Sequence, residues 1–165
     1  MGGASGAGGD WSFPCEDNLD CLVRAASCCG MCGVATRNDV IAINREQGEA
    51  YHQEVCDNVA CPGCEGQPDP TLMASCIGGF CTVVDILTHE VTACSSAADC
   101  RVRASACCEC GASLEPGLLV AINPNSPTRY GELACNIDSV CAACIPQYPP
   151  TTIDCVDDHC RVVPQ

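Results

Sequence analysis

The residues of this chain that can do chemistry are its cysteines, twenty in 165 residues. Three chemistries compete for them. Cys29-x2-Cys32 together with Cys61-x2-Cys64 has the spacing at which four thiolates hold a structural zinc ion. Cys29-Gly-Met-Cys32 and Cys61-Pro-Gly-Cys64 also have the outline of thiol–disulfide exchange motifs. Paired among themselves, the cysteines would instead staple a small fold whose apolar core is too slight to stand alone. Their density and even number favour the staples. Zinc leaves too many cysteines unexplained, and neither Cys-x2-Cys sits between a strand and a helix as a redox motif requires.

The spacing carries a second message. Cys15, Cys21, Cys28, Cys29, Cys56, Cys76 and Cys81 recur at one constant offset as Cys94, Cys100, Cys107, Cys108, Cys135, Cys155 and Cys160. Against that offset Cys32 recurs one position early as Cys110, and Cys61 and Cys64 one position late as Cys141 and Cys144. Val40-Ile-Ala-Ile-Asn44 is echoed by Leu119-Val-Ala-Ile-Asn123. The chain thus reads as a tandem duplication with ten cysteines in each copy, enough for five bridges per copy. Ten cysteines allow about 945 pairings, so spacing leaves the connectivity open.

The elements that must hold these cysteines can be read in order. Leu19, Leu22, Val23 and Ala26 lie at helical spacing behind Asp17 or Asn18 as a cap, which predicts a short helix over 17–27 and its echo over 95–106. Residues 40–43 form an apolar run expected to be a strand. Asn44 caps an expected helix through Val55, and Asn123-Pro124 and Ser126-Pro127 open its counterpart, which ends near Cys135. Each copy closes with a β-hairpin, turning at Gly78-Gly79 in the first and Asp157-Asp158 in the second. That register sets Cys76 opposite Cys81, and each is expected to reach back to the helical half rather than bridge its neighbour.

Composition narrows the function. The net charge is −14, and all seven cations are arginine. So acidic a surface repels nucleic-acid phosphates and anionic membranes. No apolar run is long enough to span a bilayer. The Gly/Ser/Ala-rich residues 1–14 read as a linker, and the absence of a secretory leader suggests a mature form whose precursor carried a signal or a lipid anchor. The histidines, His52, His89 and His159, do not recur between the copies, and no nucleophile–base pair is built twice. An enzyme is not expected, nor a cofactor.

Cys94-x5-Cys100-x6-Cys107-Cys108 with Asp99, and Cys15-x5-Cys21-x6-Cys28-Cys29 with Asp20, resemble the middle of whey-acidic-protein four-disulfide-core modules, a short stretch of each copy. That resemblance implies a small secreted module, often a protease inhibitor. The chain departs from that family in having ten cysteines per copy rather than eight, a long insert and a closing hairpin. The whole pattern also resembles cysteine-rich repeats of uncharacterised bacterial secreted proteins and lipoproteins.

The expectation is therefore a small disulfide-rich α+β protein of two homologous tandem units, each with short helices and a C-terminal β-hairpin. The units span 15–86 and 94–163, joined by a linker over 87–93. The expected function is a non-enzymatic binding module, extracellular, periplasmic or on the outer cell surface, with a protein partner and a monomeric state. A protease inhibitor with a bridge-braced loop is the alternative, and structural zinc the third reading. Candidate partner-binding residues are Arg37 in the loop 33–39, and Tyr148 and Pro149 in the proline-rich loop 145–154.

Overall fold

In a computed structural model, the structure describes residues 12–64, 66–67 and 69–164. Most of the expected linker, residues 1–11 with Trp11, lies outside them. Phe13 and Pro14 do not hang free. The Phe13 ring is buried, its carbonyl accepts from the Cys81 N–H (2.9 Å), and Pro14 bridges to Phe80.

Among the described residues the secondary structure comprises ten short strands: β1 (Cys21–Ala25), β2 (Gly33–Val34), β3 (Val40–Asn44), β4 (Gly66–Gln67), β5 (Leu72–Ile77), β6 (Phe80–Asp85), β7 (Arg101–Ala104), β8 (Leu119–Ile122), β9 (Thr152–Val156) and β10 (His159–Val163). Two helices, α1 (Gly48–Val55) and α2 (Tyr130–Ala134), are joined to them by 3-10 turns. The strands pair two by two: β1 with β3, β5 with β6, β7 with β8 and β9 with β10, all antiparallel, and β2 with β4 in parallel. This is a small disulfide-rich α+β fold.

The expected strand over 40–43 is β3, and the expected helix after Asn44 is a 3-10 turn, Arg45–Gln47, running into α1. The Asn44 side chain accepts from the Glu46 N–H (2.9 Å), as a helix-capping asparagine does. Both hairpins form at the expected turns. Gly78 and Gly79 have φ of 62° and 84°, and Asp157 and Asp158 have 52° and 62°, so the aspartates accept the left-handed backbone that a two-residue hairpin demands.

The helix expected over 17–27 does not exist, nor does its echo over 95–106. A 3-10 turn (Asn18–Asp20) leads straight into β1, and another (Ala97–Asp99) into β7. A helix this short gains little by itself. The apolar run of β3, in contrast, needs a partner for its backbone, and β1 supplies it in the register Val23 opposite Ala42. Asp20 and Asp99 start these segments. Each carboxylate accepts two backbone N–H bonds, from Glu16 and Asp17 at 2.9 and 3.0 Å and from Ser95 and Ser96 at 2.8 and 2.9 Å. Those bonds hold both carboxyls below the usual aspartate range. The helix expected from Asn123 is also cut to α2. Pro124 and Pro127 each lack a backbone N–H and push the preceding residue out of helical backbone.

All twenty cysteines are bridged. The pairs are Cys15–Cys76, Cys21–Cys81, Cys28–Cys56, Cys29–Cys61 and Cys32–Cys64, then Cys94–Cys155, Cys100–Cys160, Cys107–Cys135, Cys108–Cys141 and Cys110–Cys144. Cys76 and Cys81 do reach back across the chain, to the residues flanking the first 3-10 turn rather than to a helix. Hydrogen bonds recur at the cysteine offset as well. Tyr51 and Tyr130 each donate a hydroxyl bond of 2.8 Å, to the Ala26 and Ser105 carbonyls, and Asn44 and Asn123 each donate one of 2.7 Å, to the Pro14 and Ala93 carbonyls.

The core runs through the segment 86–92. Ile86 and Val91, both fully buried, pack with Val84 of β6, Val120 and Ile122 of β8, and Tyr130 of α2. Thr92 is buried beside them, its hydroxyl at the Ile86 carbonyl and 2.8 Å from His159 Nδ1. Polar contacts tie the same halves. The Asn18 amide donates to the Glu132 and Cys135 carbonyls (2.9 and 2.7 Å) and accepts from the Cys76 N–H, and Ser75 donates to the Leu133 carbonyl (2.6 Å).

Candidate functional site

The most distinctive surface is the stretch 136–145, which follows α2. Three bridges hold it: Cys107–Cys135 at its start, Cys108–Cys141 within it and Cys110–Cys144 near its end. Cys107 and Cys108 lie just beyond β7, so the loop is fastened to the end of a strand. Within that frame Ile137, Val140 and Ile145 stand 95%, 93% and 93% exposed. Its opening turn is fixed by the Ser139 hydroxyl, which accepts from the Asn136 N–H (3.1 Å).

A second cluster lies behind β7. Arg103, 7% exposed, donates through Nε to the Ala104 carbonyl (2.9 Å) and through Nη2 to the Ala106 and Cys107 carbonyls (2.9 and 3.0 Å). Its guanidinium lies 4.1 Å from the Tyr130 ring centre, a cation–π contact. Burial draws the Arg103 pKa below the usual arginine value, partly offset by the Glu109 charge. Arg101 holds both oxygens of Glu109, at 2.7 and 2.6 Å, and the Tyr148 hydroxyl donates to the same carboxylate. Burial works to raise the Glu109 carboxyl, but Tyr148 and Arg101 outweigh it and keep it below the ordinary glutamate value.

Tyr148 and Pro149 are therefore half-buried, with the tyrosine engaged inside its own repeat. Arg37 is exposed at the start of the 3-10 turn Arg37–Asp39. Tyr148 and Pro149 are neighbours in the chain, while Arg37 belongs to the turn that precedes β3. Sequence reasoning missed the aliphatic side chains of 136–145 and the Arg101–Glu109–Tyr148 group. The group did leave a signal. Leu22 and Gly30, which stand where Arg101 and Glu109 do in the other copy, are uncharged, so the ion pair arises whole in one copy only.

Burial raises the pKa of all three tyrosines, and it pushes Tyr130 up to about 12, opposed by Arg103. A phenol whose folded-state value is raised adds stability that is fully present below 10.0 and lost as pH rises through about 12. Tyrosinate absorbance after rapid pH jumps is expected to show a last step near that upper value. One common step near 10.0 would contradict it.

Sulfur atoms crowd at Cys28, Cys29 and Cys61, and at Cys107, Cys135 and Cys141. All belong to disulfides, which carry no thiolate for zinc or for exchange chemistry. Ten disulfides fit an extracellular, disulfide-stabilised module, because cytosolic thiols are kept reduced. Among the described residues, no helix is long and apolar enough to cross a membrane. No family model, curated protein or solved structure matches the chain.

Proposed function

We propose that this protein is a non-enzymatic binding module of the extracellular space or cell envelope, built of two homologous tandem units, that meets a protein partner through the loop 136–145. The observation that carries the reading is the near-complete exposure of Ile137, Val140 and Ile145 on a loop braced by three bridges. Exposed aliphatic side chains cost solubility and mark interaction surfaces when grouped. A braced loop loses little further freedom on binding, so more of the contact energy remains as affinity. The alternative, a protease inhibitor presenting Arg37, calls for extended backbone that a protease cleft can take as an added strand. Arg37 instead opens a 3-10 turn, and the binding reading is preferred.

A photo-crosslinker at Val140 of the oxidised protein, applied at the surface of the source cell, is expected to capture a discrete protein. Unlabelled protein should compete it away. The triple variant Ile137→Ser, Val140→Ser, Ile145→Ser should not compete, while its thermal midpoint stays within about 2 °C of the parent because the replaced side chains are almost wholly exposed. Equal competition by the triple variant, or the absence of any competable product, would refute the proposal.

A further inference from the structure

The two repeats differ in one place where they ought to match, and the difference describes a ligand. In the second repeat the Tyr148 hydroxyl bonds to Glu109 and lies against the Ala104 backbone, with Arg101 and Arg103 nearby. The positions of the first repeat that correspond to Glu109, Ala104, Arg101 and Arg103 are Gly30, Ala25, Leu22 and Arg24. Three of these, Arg24, Ala25 and Gly30, line a cleft of about 330 Å³ between β1 and the β2–β4 pair. Its other walls include Val40, Gln67 and Leu72. Gln67 corresponds to Gln147 when Cys64 is set on Cys144, so the segment that carries the tyrosine in one repeat borders the cleft in the other. In the second repeat the tyrosine lies against the corresponding strand, whereas among the described residues no aromatic ring lines the cleft of the first.

We infer that the cleft of the first repeat is a binding site for a tyrosine side chain presented by a proline-flanked peptide segment of a partner protein. The second repeat shows the fit. Its Pro146-Gln-Tyr148-Pro-Pro150 segment places a phenol against the backbone of β7, the strand that corresponds to β1, with prolines on both sides. Proline-rich backbone is already extended, so docking orders little chain, and the ring supplies the apolar contact. The cleft volume lies at the low end of small-ligand sites, about 300–1,000 Å³, which suits one side chain and its neighbours. Gly30 removes the carboxylate that meets the hydroxyl in the second repeat, so the ring rather than the hydroxyl is the anchor. This cleft shares no residue with the loop 136–145, and failure of either site leaves the other untouched.

The test is a titration of the ¹⁵N-labelled, fully oxidised protein with a capped synthetic peptide of the sequence of residues 145–151. Saturable shifts are expected at the amides of Ala25, Gly30 and Gln67. A peptide with alanine in place of tyrosine should bind at least roughly tenfold more weakly. This arm alters only the peptide, so protein folding cannot confound it. No saturation at millimolar peptide, shifts confined to other regions, or equal binding of the alanine peptide would each overturn the inference.

Discussion

Replacing Cys100 and Cys160 together with alanine is expected to cost about 4 kcal/mol of unfolding free energy. Cys94–Cys155 already closes nearly the same loop, so this bridge closes a further ring of about a dozen residues, 94–100 with 155–160, and its removal returns about 3 kcal/mol of chain entropy to the unfolded state. It also joins the start of β7 to β10, with Cys160 completely buried, so packing is lost beside the constraint. Domains of this kind hold only about 5–15 kcal/mol in all. The equivalent pair, Cys21 and Cys81, closes the matching ring beside Cys15–Cys76 and should cost a similar amount. Denaturant unfolding of the oxidised double variants measures both. A loss below about 1 kcal/mol would show that neighbouring bridges already supply the constraint.

Arg103→Ala should rank next, at about 3 kcal/mol. Its guanidinium satisfies three carbonyls, of Ala104, Ala106 and Cys107, and covers the Tyr130 ring. Truncation strands the acceptor of buried Ala104 and removes two half-buried bonds to Ala106 and Cys107, and a stranded buried acceptor costs more than its bond contributed. Arg24, its counterpart in the first repeat, is the internal control. It is exposed, so Arg24→Ala should stay within about 0.5 kcal/mol. Equal effects at the two positions would mean that the buried bonds of Arg103 contribute nothing beyond a surface arginine. Arg103→Lys separates charge from geometry: lysine keeps the charge but cannot reproduce the planar, three-carbonyl pattern, so it should recover only part of the loss.

Several elements were legible because their causes are local. Gly78-Gly79 turns the first hairpin because glycine takes positive φ without a clash. Residues 40–43 become β3 because an apolar run with β-branched members suits a pleated surface. Asn44 caps the turn Arg45–Gln47 through its own side chain. The expected helix over 17–27 failed for a non-local reason. Its spacing suits a helix, but β3 offers a ladder of backbone bonds and the 3-10 turn at Asp20 directs the chain into it. The Asp157-Asp158 turn lay between these cases, a weaker turn signal held by the pairing of β9 with β10.

The site was less legible still. Tyr148 looks from its surroundings like an exposed anchor, yet it turns inward because Glu109, 39 residues away, takes its hydroxyl. Exposure of Ile137, Val140 and Ile145 leaves no mark in composition, since aliphatic residues between cysteines read equally well as core.

By itself, then, the sequence determined the disulfide-rich character, the doubled rhythm of the cysteines, both hairpin turns and the acidic surface, because each depends on residue type and spacing along the chain. Only the tertiary structure decided which of about 945 pairings a ten-cysteine copy adopts, since a bridge requires two Cα atoms within about 7 Å and sequence distance does not report that. It also decided that Ile86 and Val91 join one core with β6, β8 and Tyr130. The same kind of arginine is buried in one repeat and exposed in the other, because burial depends on what the rest of the chain places over it.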